Sequence, residues 1–226
     1  MVRIPGTGSL LQAGDIGSSD DTATLSDGRR LLIGRVTAQD APTLAEGFAR
    51  LSEESRRLRF LTSKPHLSRA ELRYLTDVDG HNHEALGAID PETGRGVGIA
   101  RYVRDEDDPT RAEAAVTVAD EWQRRGVGKL LLERLSDRAR AEGITHFTAL
   151  VSADNTGMKA LVSRLGYPVQ ITHIRGGTFQ YDIELGHRGL GRQLEEALRA
   201  AAAGRFGVPP RLRQVLRGLV PTHLGR

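Results

Sequence analysis

Apolar positions along this chain alternate between two periods, and the changes of period mark its elements. Leu31, Leu32, Ile33 and Val36 read as a first strand, and Asp40 ahead of Ala41-Pro42 has the form of a helix start. Helical stretches follow near 52–61 and 68–76. His83 to Ile89 and Gly96 to Val103 are short apolar runs on either side of the turn-forming Asp90-Pro91-Glu92-Thr93-Gly94, a pattern that predicts a hairpin. A third strand, Ala112 to Val118, runs into Gln123 to Gly128, after which Val127, Leu130, Leu131, Leu135 and Ala139 fall at helical spacing as far as Gly143. Ile144 to Val151 is again strand-like, and Met158, Leu161, Val162 and Leu165 share a helical face before Gly166. Phe179, Tyr181, Ile183 and Leu185 alternate with Gln180, Asp182 and Glu184, and Gly176-Gly177 is a tight loop that would pair them with Val169 to Ile174.

The two ends read differently. Residues 1–28 are rich in Gly, Ser, Thr and Asp without a sustained period, which predicts a flexible tail and folding from near Arg29. Leu190, Leu194 and Leu198 suggest a further helix, and the segment after Gly204 has five arginines and no acid. Its Leu212, Val215, Leu216 and Leu219 recur at helical spacing, as in a short basic amphipathic helix. The expected organisation is a tail (1–28), an α/β domain (29–186) and a helical, basic extension (187–226), in keeping with one domain per roughly 150 residues.

Composition narrows the function classes. The chain has no cysteine, which excludes disulfides, thiolate metal sites and a cysteine nucleophile. No apolar run approaches the roughly 20 residues of a membrane span, and the amino end lacks the basic-then-apolar order of a secretory signal, so the expected location is the cytoplasm. Net charge is only +3, and lysine occurs just at Lys64, Lys129 and Lys159. An arginine-rich balance suits phosphate recognition, although a genome-wide bias gives the same excess. The basic carboxyl segment could serve as an arm for nucleic acid or a membrane surface, but Phe206 is its one aromatic residue for base stacking. The plainer reading, a tail that docks on its own domain or stays loose, is the one expected, and no stable nucleic-acid or membrane partner is expected.

The densest chemistry lies in Gln123-Arg124-Arg125-Gly126-Val127-Gly128-Lys129, between a strand and a helix start. Glycines there let the backbone approach an anion, and the first N–H groups of a helix have no internal partner and can bind phosphate oxygens. Arg124, Arg125 and Lys129 add positive charge. The dinucleotide pattern fails for want of a third glycine, and the Walker pattern for want of a longer loop, which leaves a pyrophosphate as the natural ligand.

Gln-x-x-Gly-x-Gly in this setting resembles the coenzyme A pyrophosphate loop of the GNAT superfamily of N-acetyltransferases, and Asn155 with Gly166-Tyr167 resembles that superfamily's second cofactor-binding segment. The implied fold is α/β, a mixed and mostly antiparallel sheet flanked by helices. Within the superfamily, Leu51-Ser52, Ser55, Arg59-Phe60, Leu75-Thr76-Asp77-Val78-Asp79, His83, Ala100-Arg101-Tyr102-Val103-Arg104-Asp105, Asp108-Pro109-Thr110 and Ala112-Glu113 resemble the catalytic domain of Pat-type bacterial protein lysine acetyltransferases. The likeness spans roughly residues 50–185. Pat enzymes of this type carry a cyclic nucleotide-binding domain ahead of the catalytic one, where this sequence has only a short tail, so regulation by cyclic AMP is not part of what the resemblance leads one to expect.

The resemblance implies acetyl-coenzyme A as co-substrate, no metal, and an amine acceptor such as a protein lysine, with a small-molecule amine or a non-catalytic acyl-coenzyme A module as alternatives. Oligomeric state is open, a homodimer included. It assigns the general base to Glu113, whose plainer reading is a strand-edge carboxylate beside Arg111. It also assigns the pantetheine arm to the backbone of Val116, Thr117 and Val118, which is core strand on the plainer reading. Asn155 is either a cofactor ligand or a helix N-cap. Where many of these enzymes have a tyrosine acid, this chain has Val162. His81 and His83 near Asp77 and Asp79 form too loose a cluster for a metal site, and His83 lies near the substrate mouth or simply packs at a strand start. Trp122, the only tryptophan, is expected to pack against the sheet.

Overall fold

Short apolar runs cut by turn residues give the first half of the chain its antiparallel strands. These are β1 (Thr22–Thr24), β2 (Arg30–Arg35), β3 (His83–Ile89), β4 (Gly96–Arg104) and β5 (Arg111–Val118), with α1 (Ala41–Arg50), α2 (Glu53–Phe60) and α3 (Arg69–Thr76) inserted between β2 and β3. The chain continues through α4 (Val127–Ala141), β6 (His146–Ser152), α5 (Thr156–Leu165), β7 (Val169–His173) and β8 (Thr178–Glu184). The structure is a computed structural model and describes residues 22–186. The expectations for residues 1–21 and 187–226 lie outside the described residues.

Eight strands form one sheet in the order β1-β2-β3-β4-β5-β6-β8-β7. Each neighbouring pair is antiparallel except β5 and β6. The hairpin predicted at Gly176-Gly177 joins β7 to β8, and both glycines have positive φ (58° and 75°), the backbone a tight two-residue turn requires. Side-chain caps fix where helices begin: the Ser55 N–H donates to Ser52 Oγ, the Glu71 N–H to Ser68 Oγ, and the Met158 N–H to Asn155 Oδ1.

One boundary departs from the sequence reading. Residues 22–28, assigned to the tail, form β1 and a turn closed by Leu25 N–H to Arg29 O and Gly28 N–H to Leu25 O. The apolar signal there is two side chains, Ala23 and Leu25, too short to register as a period; both are buried against the sheet.

The two faces of the sheet are filled unequally. On one, α4 and α5 lay Val127, Leu131, Leu135, Ala139, Val162 and Leu165 over Ala100, Tyr102, Phe147, Val151 and Ile183 in a continuous core. Glu84, fully buried, is held by Arg35, whose Nη2 lies 2.7 Å from Oε2, with Arg138 3.7 Å away. Burial, with Glu84 adding to it, pushes the Tyr102 hydroxyl up to about 12. The opposite face, under α1 to α3, has a much smaller apolar cluster around Val36 and Ala85. There the sheet lies open to cavities.

Gly98 sets how closely α4 approaches. A Cβ at that position would lie 3.0 Å from Leu131 Cδ1, 3.2 Å from Val127 Cγ1 and 3.2 Å from the Thr117 carbonyl oxygen. Gly98→Val is therefore expected to destabilise the fold by about 1–3 kcal/mol through overpacking, seen as a lower urea midpoint at unchanged m-value. An unchanged midpoint would show that the interface yields.

Candidate active site

The site is built where the sheet comes apart. β5 and β6 pair only over Arg111–Glu113 and His146–Thr148. Beyond that point β5 stays with β4 as far as Val118, and β6 stays with β8 as far as Ser152. The strands diverge with their facing edges unpaired, because one strand bonds to each side's sheet and neither can follow the other.

Backbone direction can be read along β5. The Ala119 N–H donates to Val97 O at 2.9 Å, on the β4 side. Main-chain groups alternate along a strand, so those of Thr117 also turn toward β4, while those of Val116 and Val118 face the opening. Val118 O is occupied by Gln123 Nε2 at 3.2 Å. The Val116 and Val118 N–H groups and the Val116 carbonyl thus form a strand edge ready for an extended ligand. Of the three residues expected to line it, Thr117 contributes its side chain to the cavity on the α1 side instead.

At the far end of the opening lies the glycine loop. The backbone N–H groups of residues 124–129 have no hydrogen-bond acceptor among the described residues, and the first helical bond of α4 runs from Leu130 N–H to Gly126 O. Arg124 and Gly126 both have positive φ (60° and 96°), which turns successive N–H groups toward one another. Such a nest at the positive end of a helix dipole is an anion cradle. Gly128 has a different duty: a Cβ there would meet Leu161 Cδ2 at 3.2 Å, so its smallness seats α4 against α5.

The predicted cations divide in role. Lys129 Nζ lies 3.8 Å from Glu133 on the surface of α4, and Arg124 is exposed. Arg125 is tied inward, donating to Glu121 O at 3.1 Å and lying 3.3 Å from Asp27. Trp122 is buried against the core, with Arg29 and Arg125 near its ring.

Gln123 is a joint. Its amide donates to Ser55 Oγ and Val118 O, and its own N–H bonds to Asp120 O. Asp120 in turn accepts from the N–H and hydroxyl of Ser52 and the hydroxyl of Ser55. Burial pushes the Asp120 carboxyl up, yet these donors hold it below its ordinary range. The network fastens α2 to the loop across 65 or more residues of sequence, and periodicity gave no sign of Asp120. Asn155 acts as the N-cap of α5, and Asp154 beside it pairs with Arg57 of α2 at 2.5 Å.

On the α1–α3 face, Glu113 opens into a cavity of about 560 Å³ lined also by Arg59, Tyr74, Arg101, Val103 and Thr148. Glu113 is exposed there, and Thr148, its partner across the parallel pairing, marks where the strands begin to part. A smaller, largely apolar cavity adjoins it beneath α1, between Phe48, Leu75 and Ile99, and shares Arg59 and Arg101 with the first. His83 lies against Arg101, its Nε2 facing Nη2, and its ring is 5.4 Å from Tyr74. His81 pairs with Glu142 instead, and Asp79 accepts the N–H groups of His81, Asn82 and His83, so these residues do not converge on one point.

A strand edge for an extended arm, an anion cradle at one end and a carboxylate at the other define a transferase that takes its group from a long phosphorylated carrier. The chain belongs to the Acetyltransferase (GNAT) family, whose profile matches residues 48–167. It is 35% identical over 146 residues to Acetyltransferase PA5475 of Pseudomonas aeruginosa, an alignment covering 64% of this chain and 78% of that protein. It is 37% identical over 99 residues to Acetyltransferase Pat of Mycolicibacterium smegmatis, covering 44% of this chain but only 30% of that relative's length. The fold matches the crystal structure of the GNAT domain of S. lividans PAT with a TM-score of 0.67 at 28% identity, over 72% of this chain and 95% of that one. Acetyl-coenzyme A is accordingly its co-substrate, and the expected α/β fold with a mixed, mostly antiparallel sheet is the one observed.

Two outcomes test this geometry. A residue with a Cβ costs about 1–2 kcal/mol more than glycine in the left-handed region, so Gly126→Ala should weaken acetyl-coenzyme A binding about tenfold in calorimetry; an unchanged affinity would remove the loop from the site. Burial, and then the Arg101 charge, push the His83 imidazole down to about 4. In the unfolded chain it titrates near 6.5. Between those values the unfolded state takes the proton first, so stability is complete above about pH 6.5 and is lost as pH falls toward 4. His83→Gln should flatten that part of a melting-temperature profile, and a profile parallel to wild type would refute the half-buried neutral imidazole.

Proposed function

We propose that this chain transfers the acetyl group of acetyl-coenzyme A to a primary amine, the side chain of a protein lysine, with Glu113 as general base. The observation that carries the reading is the position of Glu113: it faces the cavity at the end of the β5–β6 opening remote from the anion cradle. Five residue steps of strand lead from it to Val118, about 17 Å at the rise of a β-strand. The resemblance of residues 50–185 to Pat-type protein lysine acetyltransferases supports the choice of acceptor.

The chemistry requires a neutral amine, because an ammonium has no lone pair. A lysine amine with a pKa near 10.4 is neutral in fewer than roughly one molecule in a thousand at pH 7. Glu113 takes the proton, directly or through a water, and leaves the nitrogen free to attack. Bound acetyl-coenzyme A supplies the activated carbonyl. The loop at residues 124–129 holds its phosphates, and the Val116 edge holds its arm. An N–H on that edge faces the oxygen on which negative charge grows. Val162, 6% exposed, offers no proton to the departing thiolate, which takes one from solvent.

Glu113→Gln should lower turnover about 10²- to 10⁴-fold and leave acetyl-coenzyme A affinity intact, measured as free-thiol release with lysine-containing proteins and small amines as acceptors. Unaltered turnover would remove Glu113 from the chemistry. Tight cofactor binding without turnover on any acceptor by wild type would favour an acyl-coenzyme A sensor.

A further inference from the structure

Two guanidinium groups converge beside Glu113 with too little negative charge to satisfy them. Arg101 projects from β4 on the same face as Glu113 and is only 6% exposed. In the β4–β5 register it is paired with Ala115, which makes it the diagonal neighbour of Glu113, at a spacing of about 7–8 Å. Its Nη2 meets His83, its plane lies 4.8 Å over the Tyr74 ring, and its Nη1 is buried with no hydrogen-bond partner. Arg59 approaches from α2, stacks 4.8 Å over Phe60, and makes no ion pair among the described residues.

Burial pushes both guanidinium groups down, Arg101 to about 10, with Tyr74 and Glu113 opposing the effect on Arg101 and Arg59 adding to it. His83, held neutral, brings no counter-charge. A buried cation left with an orphaned donor is costly unless something anionic reaches it. The remaining carboxylates of the cavity are on its rim: Asp105 and Glu106 are exposed, and Glu71 is paired with Lys64. The cavity is acidic at the mouth and at Glu113, and basic at its floor. That polarity matches a molecule or segment carrying an amine and a carboxylate close together.

We propose that Arg59 and Arg101 form an anion subsite that selects acceptors bearing a carboxylate next to the amine to be acetylated. The inference rests on the reading of Glu113 as the base, since it places the amine at Glu113 and the carboxylate at Arg101. The carboxylate comes either from a free amino acid or from an acidic residue flanking an acceptor lysine. Charge-assisted hydrogen bonds of this kind correspond to about 10- to 100-fold in affinity.

The test compares matched acceptors that differ in one charge. Leucine is set against leucinamide, and a lysine peptide with flanking Asp against the same peptide with Asn. In wild type, kcat/KM should favour the carboxylate member of at least one pair by about 10-fold or more, and the pair that shows the preference identifies the source. Arg59→Gln and Arg101→Met should each reduce that preference toward unity, chiefly through KM, with Arg101→Lys retaining part of it. Arg101→Met should also keep or raise the melting temperature, because it removes an unpaired buried charge.

Calorimetry with the acetylated products, N-acetylleucine against N-acetylleucinamide and the two acetyl-lysine peptides, in the presence of coenzyme A, asks the same question without turnover. A carboxylate preference in product binding together with unaltered turnover in Glu113→Gln would keep the subsite and reject the base. Equal use and equal binding within both pairs would overturn the subsite. So would a preference untouched by both arginine variants, or an Arg101→Met protein that loses stability with its preference intact.

Discussion

The short parallel contact between β5 and β6 governs the site. It lasts for Arg111–Glu113 and His146–Thr148, and beyond it each strand remains bonded to its own half of the sheet. A strand edge left unpaired inside a domain would ordinarily be a liability, because its N–H and C=O groups need partners. Here the edge is flanked by α2 above and α5 beside it, and the position suits an arm that supplies the missing strand. The same divergence sets the ends of the site: Glu113 belongs to the last paired residues, and the glycine loop follows β5 after a single turn at Asp120–Trp122.

The opening is held by side chains from outside the two strands. Asp120 collects Ser52 and Ser55, Gln123 adds Ser55 and Val118, and Arg57 reaches Asp154 on the α5 side. α2 is thereby fixed against both walls, and Arg59, on the same helix, is carried to the cavity. Helix α2 is mostly polar and has no fully buried residue, so these polar ties do much to set its position. The glycine loop and the cavity at Glu113 therefore share a support, although they lie at opposite ends of the opening.

Much of this was legible in the sequence wherever the determinant was local. The period changes gave the strands and helices to within a residue or two, Gly176-Gly177 gave the last hairpin, and Gln123 to Lys129 marked a loop ahead of a helix whose first N–H groups have no acceptor among the described residues. What escaped depends on pairing or on distant partners. β1 and the turn after it bury only Ala23 and Leu25. The extent of β5–β6 pairing leaves no trace in either strand, since both remain apolar and extended after they part. Gln123 belongs to the expected motif, but its amide is taken up by Ser55, which no reading of the motif alone could supply. Arg101 interrupts an apolar run in β4, and that interruption was a signal; its meaning required Arg59, His83 and Tyr74, which come from three other elements.

The unequal filling of the two sheet faces joins stability to function. The α4–α5 face packs Leu131, Leu135, Ala139 and Tyr102 at or near zero exposure and supplies most of the buried apolar surface. That surplus allows the other face to keep cavities and an incompletely satisfied guanidinium, features that weaken a fold. A buried arginine without a carboxylate is tolerated only where the rest of the core is sufficient to carry it. Arg101 lines the cavity into which Glu113 opens, so this incompletely satisfied group lies where a bound molecule could reach it.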